Sequence, residues 1–386
     1  MRSPRRLLRR SKLLMAATVV LAAFLGLVPA VQAASDDALI AYWKQEWPRT
    51  DFARRTVPLQ DIQSGGPPKN GIPAIDRPRF ESVDAAAGWL DPREPVIALE
   101  LNGRAKAYPL SVLIWHEIVN DRLADTPIAV TFCPLCNASI VFERRVAGAE
   151  VDFGTTGKLR YSDLVMYDRQ SETWWQQFTG TGIIGRHAGT ALRKVESQIV
   201  SFDDFRAAWP DGRVLSRNTG FDRPYGRNPY AGYDDINQSP FLLTTAADAR
   251  LPPMERVVSI SAGGVHRVYP FSVLAGTPVI NDTLGGAPVV VLSRAGTLSV
   301  LDQSEIKASR RIPSANAFSR RLGAQTLEFE LRGKRVVDRN TGSEWDLLGR
   351  AVAGPLKGSR LTPAVGGIHF AFAWLVFNPK TEIYKK

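Results

Sequence analysis

The chain has 386 residues, with 49 Lys and Arg against 38 Asp and Glu and a formal net charge of +11. Six of those basic residues and no acidic ones lie in residues 1–33, so the remainder carries +11 − 6 = +5. It contains no dense stripe of Lys and Arg with interleaved aromatic residues, which argues against nucleic-acid binding.

Residues 1–33 have the three-part layout of a secretory signal peptide: basic residues, an apolar run and a small-residue cleavage site at Val31-Gln32-Ala33. The apolar run of about 16 residues is short for a span of about 20, so we expect cleavage, with an uncleaved anchor as the alternative. This predicts a periplasmic or secreted protein without a stable membrane span. Arg9-Arg10 leaves the twin-arginine route open, but the pattern favours general secretion.

Residues 34–90 are predicted to form an N-terminal segment that packs on the core. Within it, residues 62–78 are rich in Gly, Pro, Asn and Asp and predict a loop. Residues 96–101 and 104–108 predict a hairpin, because the Asn-Gly pair between them accepts positive φ at both turn positions. Residues 110–118 predict a short helix.

Two apolar runs rich in β-branched residues, 127–132 and 138–143, predict strands on either side of the only cysteines in the chain, Cys133 and Cys136. Residues 201–209 then predict a helix, because their apolar side chains recur at the spacing of one helical face.

Residues 218–240 are again rich in Gly, Pro, Asn and Asp and predict a loop. Residues 257–261 and 265–269 flank a Gly-Gly pair and predict a second hairpin, and residues 326–331 alternate in polarity as a half-buried strand does.

Several short motifs occur twice in the same order, which indicates a duplicated module. We therefore predict a mainly β (α+β) fold of two homologous β-rich repeats with short helices in a pseudo-twofold arrangement. The paired motifs are Tyr108-Pro109 with Tyr269-Pro270, Asn120-Asp121 with Asn281-Asp282, and Asp168-Arg169 with Asp338-Arg339.

The predicted organisation places the cysteine pair in the first repeat only. The second, degenerate copy has Arg294 and Thr297 at the cysteine positions, which predicts one active and one supporting half. The segments are a signal peptide at 1–33, an N-terminal segment at 34–90, a first repeat at 91–225, a linker at 226–250 and a second repeat at 251–386.

The Cys133 and Cys136 pair is open to three interpretations. A structural disulfide closing so short a loop stabilises by only about 2 kcal/mol, which would leave a non-enzymatic ligand-binding or scaffold module. A metal site could use both cysteines and His116, with Glu117 or water, and would suit copper or zinc. No other cofactor follows from the sequence.

The leading hypothesis is an exported thiol–disulfide redox protein, a candidate oxidoreductase acting on sulfur groups. Cys133 would be the nucleophile, Cys136 the resolving thiol and His116 the proton-transfer partner, with Glu117 orienting His116 or binding a metal. We expect the strand ends to hold the cysteines on an accessible rim, with the pKa of Cys133 lowered. The partner would be an unidentified redox protein or small-molecule substrate.

Further aromatic and polar residues of the first copy are predicted to support this site. Asp168 and Arg169 recur in the second copy and predict a structural turn or ion pair, whereas Trp174 has Glu344 as its counterpart. The predicted supporting residues are Trp115, Tyr161, Asp163, Tyr167, Asp168 and Trp174.

The chain resembles the DUF3179 family, a widespread prokaryotic family of undetermined function, over residues 70–385. Some members are described as selenoproteins, and selenocysteine at a motif cysteine would imply redox chemistry at Cys133 or Cys136, here as a dithiol. The segments that carry the resemblance are residues 131–139, 115–117, 120–121, 153–154, 166–169 and 370–374.

Overall fold

The computed structural model describes residues 35–386, so the predicted signal peptide lies outside the described residues. Helices are few and short in this part of the chain. The α-helices are α1 (Asp36–Lys44), α2 (Val83–Ala87), α3 (Leu110–Leu113), α4 (Phe202–Ala208), α5 (Phe271–Gly276) and α6 (Ala371–Leu375), and 3₁₀ turns occur at Leu59–Asp61 and Ile306–Ala308.

Strands dominate the fold, which confirms the mainly β prediction. The first half contains β1 (Ile62–Ser64), β2 (Phe80–Ser82), β3 (Pro95–Leu101), β4 (Arg104–Pro109), β5 (Ile118–Leu123), β6 (Thr126–Cys133), β7 (Ala138–Glu143), β8 (Arg145–Val146), β9 (Ala149–Glu150), β10 (Phe153–Arg160), β11 (Asp163–Asp168), β12 (Trp174–Gln176), β13 (Thr181–Ile184), β14 (Lys194–Val195), β15 (Gln198–Ser201) and β16 (Arg213–Leu215). The second half contains β17 (Arg256–Ala262), β18 (Val265–Pro270), β19 (Val279–Leu284), β20 (Ala287–Leu298), β21 (Arg311–Ser319), β22 (Arg321–Leu322), β23 (Gln325–Thr326), β24 (Phe329–Arg332), β25 (Arg335–Asp338), β26 (Glu344–Trp345), β27 (Ala351–Ala353), β28 (Gly366–Phe370) and β29 (Glu382–Ile383).

The strands form several small sheets. In the first half the orders are β15-β3-β4-β16-β2, β14-β7-β6-β5, β1-β10-β11-β12-β13 and the hairpin β8-β9. In the second half they are β28-β17-β18-β29, β19-β20-β21, β24-β25-β26-β27 and the hairpin β22-β23. Both β16 and β29 join their neighbours, β4 and β18, in parallel.

Both predicted hairpins are confirmed, with β3 paired to β4 and β17 paired to β18. Asn102 and Gly103 have φ of 52° and 74°, the turn in which both central residues take positive φ. The helix at 201–209 is also confirmed: Ser201 caps α4 by accepting a hydrogen bond from the Asp204 N–H.

Two element predictions are only partly right. The helix predicted over residues 110–118 ends at Leu113, because Glu117 has a φ of 58° and Ile118 already begins β5. The strand predicted over residues 326–331 is interrupted, because the Leu327 N–H turns away to the Arg320 carbonyl.

The N-terminal segment contacts the first half through aromatic side chains. Trp43, Trp47 and Phe52 surround Trp174, with ring centroids 5.2, 5.2 and 5.5 Å from it. Strand β1 adds to the edge of β10. These contacts enclose the outer face of the sheet that contains β11.

Residues 216–255 connect the halves without a regular helix or strand, which agrees with the loop predicted at 218–240. The aromatic side chains Tyr230 and Tyr233 from this connection pack against the main core, which also contains both cysteines. No helix among residues 35–386 combines the length and apolar character needed to cross a membrane.

Gly180 offers a direct test of this packing. It has a φ of 72°, and a Cβ there would lie 2.5 Å from the buried Phe142 ring. Gly148 also has positive φ, at 82°, but open space around it. We expect Gly148→Ala to cost about 1 kcal/mol of unfolding free energy and Gly180→Ala about 2 kcal/mol more, measured by urea denaturation. Equal losses would mean that the Phe142 contact does not constrain the fold.

Candidate functional site

The two cysteines lie at the ends of a tight turn that joins β6 to β7. Cys133 pairs with Ala138 across the hairpin, and the Asn137 N–H donates to the Pro134 carbonyl at 3.1 Å. Asn137 closes the turn with a φ of 48°, which Asn tolerates better than most residues. The turn therefore folds the two sulfur atoms toward each other.

A second turn brings Asp163 to the sulfur atoms. Tyr161 and Ser162 join β10 to β11 with φ of 54° and 67°, where Gly or Asn would be favoured. The Ser162 carbonyl lies 4.0 Å from Cys133 Sγ and 3.6 Å from Cys136 Sγ. Backbone strain of this kind often occurs at functional sites.

Cys133, Cys136 and Asp163 form one cluster, with both sulfur atoms and a carboxylate oxygen within 4.8 Å of one another. The Cys136 thiol donates to Asp163 Oδ1 at 3.4 Å. The other carboxylate oxygen accepts from Gln176 Nε2 at 2.5 Å and the Phe178 N–H at 3.0 Å. Both cysteines are free thiols in this structure.

The environment of this cluster favours protonated groups. Burial raises the pKa of both thiols, and the negative charges of Asp163 and Glu117 raise that of Cys133 further. Burial also raises the pKa of Asp163 to about 6. Burial, followed by the charge of Asp163, raises the pKa of Glu117 to about 8.

The prediction of an accessible rim is wrong. Cys133 is 1% exposed and Cys136 is fully enclosed, and Tyr230 and Tyr233 of the connection between the halves pack against the core that contains both cysteines. The expected lowering of the Cys133 pKa does not occur either, since desolvation outweighs the hydrogen bond from Cys136 that favours the thiolate.

His116 lies in the same region of the chain but directs its ring nitrogens to other partners. Nδ1 is 2.7 Å from the Pro73 carbonyl and Nε2 is 2.7 Å from the Tyr225 hydroxyl. Burial lowers the pKa of His116 to about 4, so the ring is neutral near pH 7. Asp163, rather than His116, completes the cluster with the two sulfur atoms.

Glu117 lies beside the sulfur site because its backbone joins the hairpin. Its carbonyl accepts from the Phe132 N–H at 2.8 Å, one residue before Cys133. Its side chain is buried and lines a cavity of about 290 Å³. This placement brings a second carboxyl group into the electrostatic field of the cluster.

Two of the predicted supporting residues make contacts outside the sulfur cluster. Trp115 donates from Nε1 to the Arg227 carbonyl at 3.0 Å, so it anchors the connection between the halves. The Tyr161 hydroxyl donates to Asp61 Oδ2 at 2.9 Å, although its backbone forms the turn that positions Asp163.

The other predicted supporting residues stabilise the sheet. Tyr167 donates to Asn70 at 3.1 Å, and Trp174 belongs to the aromatic cluster of the N-terminal segment. Asp168 accepts from the Ser171 N–H at 2.6 Å and from Trp175 Nε1 at 3.0 Å. Asp168 thus closes a turn, in agreement with the structural turn or ion pair predicted for it.

The cavity beside Glu117 is largely apolar, and the residues that cover it were not predicted from the sequence. Tyr230 and Tyr233 of the connection line it, and burial, followed by nearby charges that include those of the cysteines, raises the pKa of both phenols. Their only sequence signal is aromatic residues within an otherwise polar loop. The cavity lining is Gly65, Pro67, Ile72, Glu117, Leu135, Thr155, Gly157, Lys158, Leu159, Leu164, Tyr230, Tyr233 and Phe241.

The raised pKa of Glu117 predicts a pH-dependent stability. The unfolded carboxyl group, with an ordinary pKa of 4.5, is already ionised near pH 6.5, whereas the folded one holds its proton until about 8. Stability therefore falls as pH rises, by about 2 kcal/mol between about pH 6.5 and 8.5. Glu117→Gln should flatten this dependence in urea denaturation with a chelator present. Parallel curves for the two proteins would contradict the assignment.

Comparison with known families matches residues 69–381 to the family described as "Protein of unknown function (DUF3179)". Comparisons with curated proteins and with solved structures gave no match. The matched region contains both cysteines, Asp163, Glu117 and the covering tyrosines. Because the match spans most of the 386 residues, the chain belongs to the DUF3179 family.

Proposed function

We propose that this protein is a thiol–disulfide redox protein whose buried dithiol, Cys133 and Cys136, cycles between the reduced pair and an internal disulfide. The observation that supports it best is the cluster of two free thiols and the Asp163 carboxylate within 4.8 Å. A carboxyl group with a pKa of about 6 can accept a thiol proton near neutral pH and return it.

We infer the order of the reaction steps from the contacts among the two thiols and the Asp163 carboxyl group. The Cys133 thiol gives up its proton, and its thiolate, stabilised by the Cys136 thiol, attacks one sulfur of a substrate disulfide; the first substrate thiolate leaves and takes up that proton. Cys136 then gives its proton to Asp163 and attacks Cys133 Sγ, and the second substrate thiolate leaves and takes the proton back from Asp163. The dithiol loses two electrons and two protons, and the substrate disulfide gains both.

Burial favours a small substrate over a protein partner. A protein disulfide could not reach sulfur atoms that are at most 1% exposed unless the connection moved. The cysteines do not line the cavity of about 290 Å³, but Glu117 and Leu135 of the dithiol turn do, so a small molecule bound there would lie beside that turn. The largely apolar lining selects an uncharged, low-molecular-weight disulfide.

We also propose that the two halves are repeats of one module in a pseudo-twofold arrangement, of which only the first carries the dithiol. Matching contacts support this. Tyr108 donates to Asp121 at 2.6 Å, as Tyr269 does to Asp282 at 2.7 Å. The same holds for Trp345, which donates to Asp338 at 2.9 Å as Trp175 does to Asp168 at 3.0 Å.

Export to the periplasm or the medium remains our proposal for the location, on the basis of residues 1–33 alone. Disulfides persist in such compartments. A dithiol that is enclosed and has raised thiol pKa values would stay reduced there longer than an exposed one, because its thiolates are scarce.

A metal site is the second candidate, and the donor set favours it. The sulfur atoms of Cys133 and Cys136 and an Asp163 oxygen lie close enough to share one ion. The other charges that act on this cluster are negative, so a bound cation would offset them. Thiolates favour Cu(I) or zinc. Asp163 replaces His116 in this ligand set.

The redox proposal predicts a trapped intermediate. We expect Cys136→Ser, incubated with hydroxyethyl disulfide, to retain a mixed disulfide on Cys133, because no resolving thiol remains. The wild type should instead lose two hydrogen atoms and keep no adduct, and Cys133→Ser should form no adduct. Intact-mass spectrometry after acid quenching distinguishes these products. A wild type that stays fully reduced would overturn the proposal.

The role of Asp163 has its own test. Asp163→Asn should slow closure of the internal disulfide by about 100-fold, because Cys136 then lacks a proton acceptor. Glu117→Gln removes the other buried acid and should leave closure near the wild-type rate. Quenched-flow alkylation measures the rate of disulfide closure in both variants. Equal rates in wild type and Asp163→Asn would show that Asp163 takes no proton.

The metal candidate is tested by anaerobic Cu(I) titration against a chromogenic chelator. We expect one equivalent in the wild type, none in the Cys133→Ser/Cys136→Ser variant, and affinity lowered about tenfold or more in Asp163→Asn. His116→Gln should bind as the wild type does. Loss of copper in His116→Gln but not in Asp163→Asn would restore the ligand set predicted from the sequence.

A further inference from the structure

A second cavity, of about 460 Å³, lies between the two halves and contains none of the residues of the sulfur cluster. Strands β7 and β14 of the first half form one side, and β28 with α6 of the second half forms the other. Residues from both halves therefore have to be in place before this cavity exists.

Aromatic rings form much of its wall. Phe178 stacks on Phe377 with ring centroids 5.3 Å apart and an interplanar angle of 19°. His369 stacks on Trp374 at 5.7 Å and 10°, and Phe178 lies 4.8 Å from His369. Such a wall offers flat faces on which another planar group can pack.

Two polar groups in the lining lack partners. His369 is 3% exposed, and its Nδ1 has no hydrogen-bond partner among the described residues. The buried Ser139 Oγ also has none within that part of the chain. Burial lowers the pKa of His369 to about 3, so the ring is neutral. Unpaired buried groups are costly and are normally satisfied by a ligand or by water.

One lysine side chain contributes a positive charge to the lining of the cavity. Lys194 is solvent-exposed, yet enough protein surrounds its ammonium group to lower its pKa. It has no acidic partner within 4.0 Å among residues 35–386. Burial raises the pKa of Glu196, the one acidic residue in the lining, although the charge of Arg360 opposes this shift. The cavity thus combines a free positive charge with two unpaired polar groups.

We propose that this cavity binds a small aromatic carboxylate, with its ring against Phe178 and Trp374 and its carboxylate held by Lys194, Ser139 and His369. The aromatic wall accounts for the ring, and the unpaired cation accounts for the negative charge. Because the cavity does not contain the sulfur atoms, this inference stands independently of the redox proposal.

The test uses 4-fluorobenzoate as the probe and the full chain, with binding followed by ¹⁹F NMR line broadening. The wild type should bind it, and the neutral 4-fluorobenzamide should bind about tenfold more weakly. Lys194→Gln should weaken 4-fluorobenzoate binding about threefold to tenfold. His369→Phe keeps an aromatic ring but removes Nδ1, and should also weaken it.

The matched control is Lys307→Gln, which removes a solvent-exposed lysine whose side chain lies outside this cavity. It should bind 4-fluorobenzoate as the wild type does. Absence of broadening with the wild type would show a cavity filled only by water and would overturn the proposal. Equal binding of 4-fluorobenzamide, or an equal effect of Lys194→Gln and Lys307→Gln, would overturn the carboxylate assignment.

Discussion

The buried carbonyl group of Cys136 accepts a hydrogen bond from the Phe370 N–H at 2.9 Å, and this contact ties the second half of the chain to the dithiol turn. A buried carbonyl without a partner would be costly, so the turn depends on β28 to remain enclosed. On the other side, the Phe132 N–H depends on the Glu117 carbonyl. The sulfur site is therefore a product of both halves, although only one supplies sulfur.

Enclosure also determines the pKa values of the groups in the cluster. Desolvation is the first cause of the raised pKa of each thiol, of Asp163 and of Glu117, and the charge of Asp163 raises the pKa of the thiols and of Glu117 further. Such a cluster exchanges protons easily and holds negative charge poorly, which suits a proton-coupled dithiol or a cation site. The strained Tyr161–Ser162 turn keeps Asp163 in this unfavourable position.

The sequence predicted local structure better than it predicted which residues distant in sequence lie in contact. Asn102-Gly103 fixed the first hairpin because its backbone chemistry is local, and Ser201 capped its helix for the same reason. Whether His116 or Asp163 lies beside the two sulfur atoms is not decided by local sequence. It depends on the left-handed backbone of Glu117, next to His116, and on which strands are neighbours in the fold. A single sequence reveals neither. The enclosure of the cysteines was missed because it involves segments distant in sequence, among them β28 and the tyrosines of the connection.

Comparison with strand β20 of the second half shows what distinguishes the dithiol turn of the first half. Where the first half turns sharply after Cys133, strand β20 continues to Leu298 and pairs along most of its length with β21. Arg294, which the proposed repeat aligns with Cys133, forms an ion pair with Asp204 of the first half. The β-strand framework is thus compatible with a purely structural use of that position. What distinguishes the first half at this point is the four-residue turn from Cys133 to Cys136 with Asp163 beside it, not the sheet that carries them.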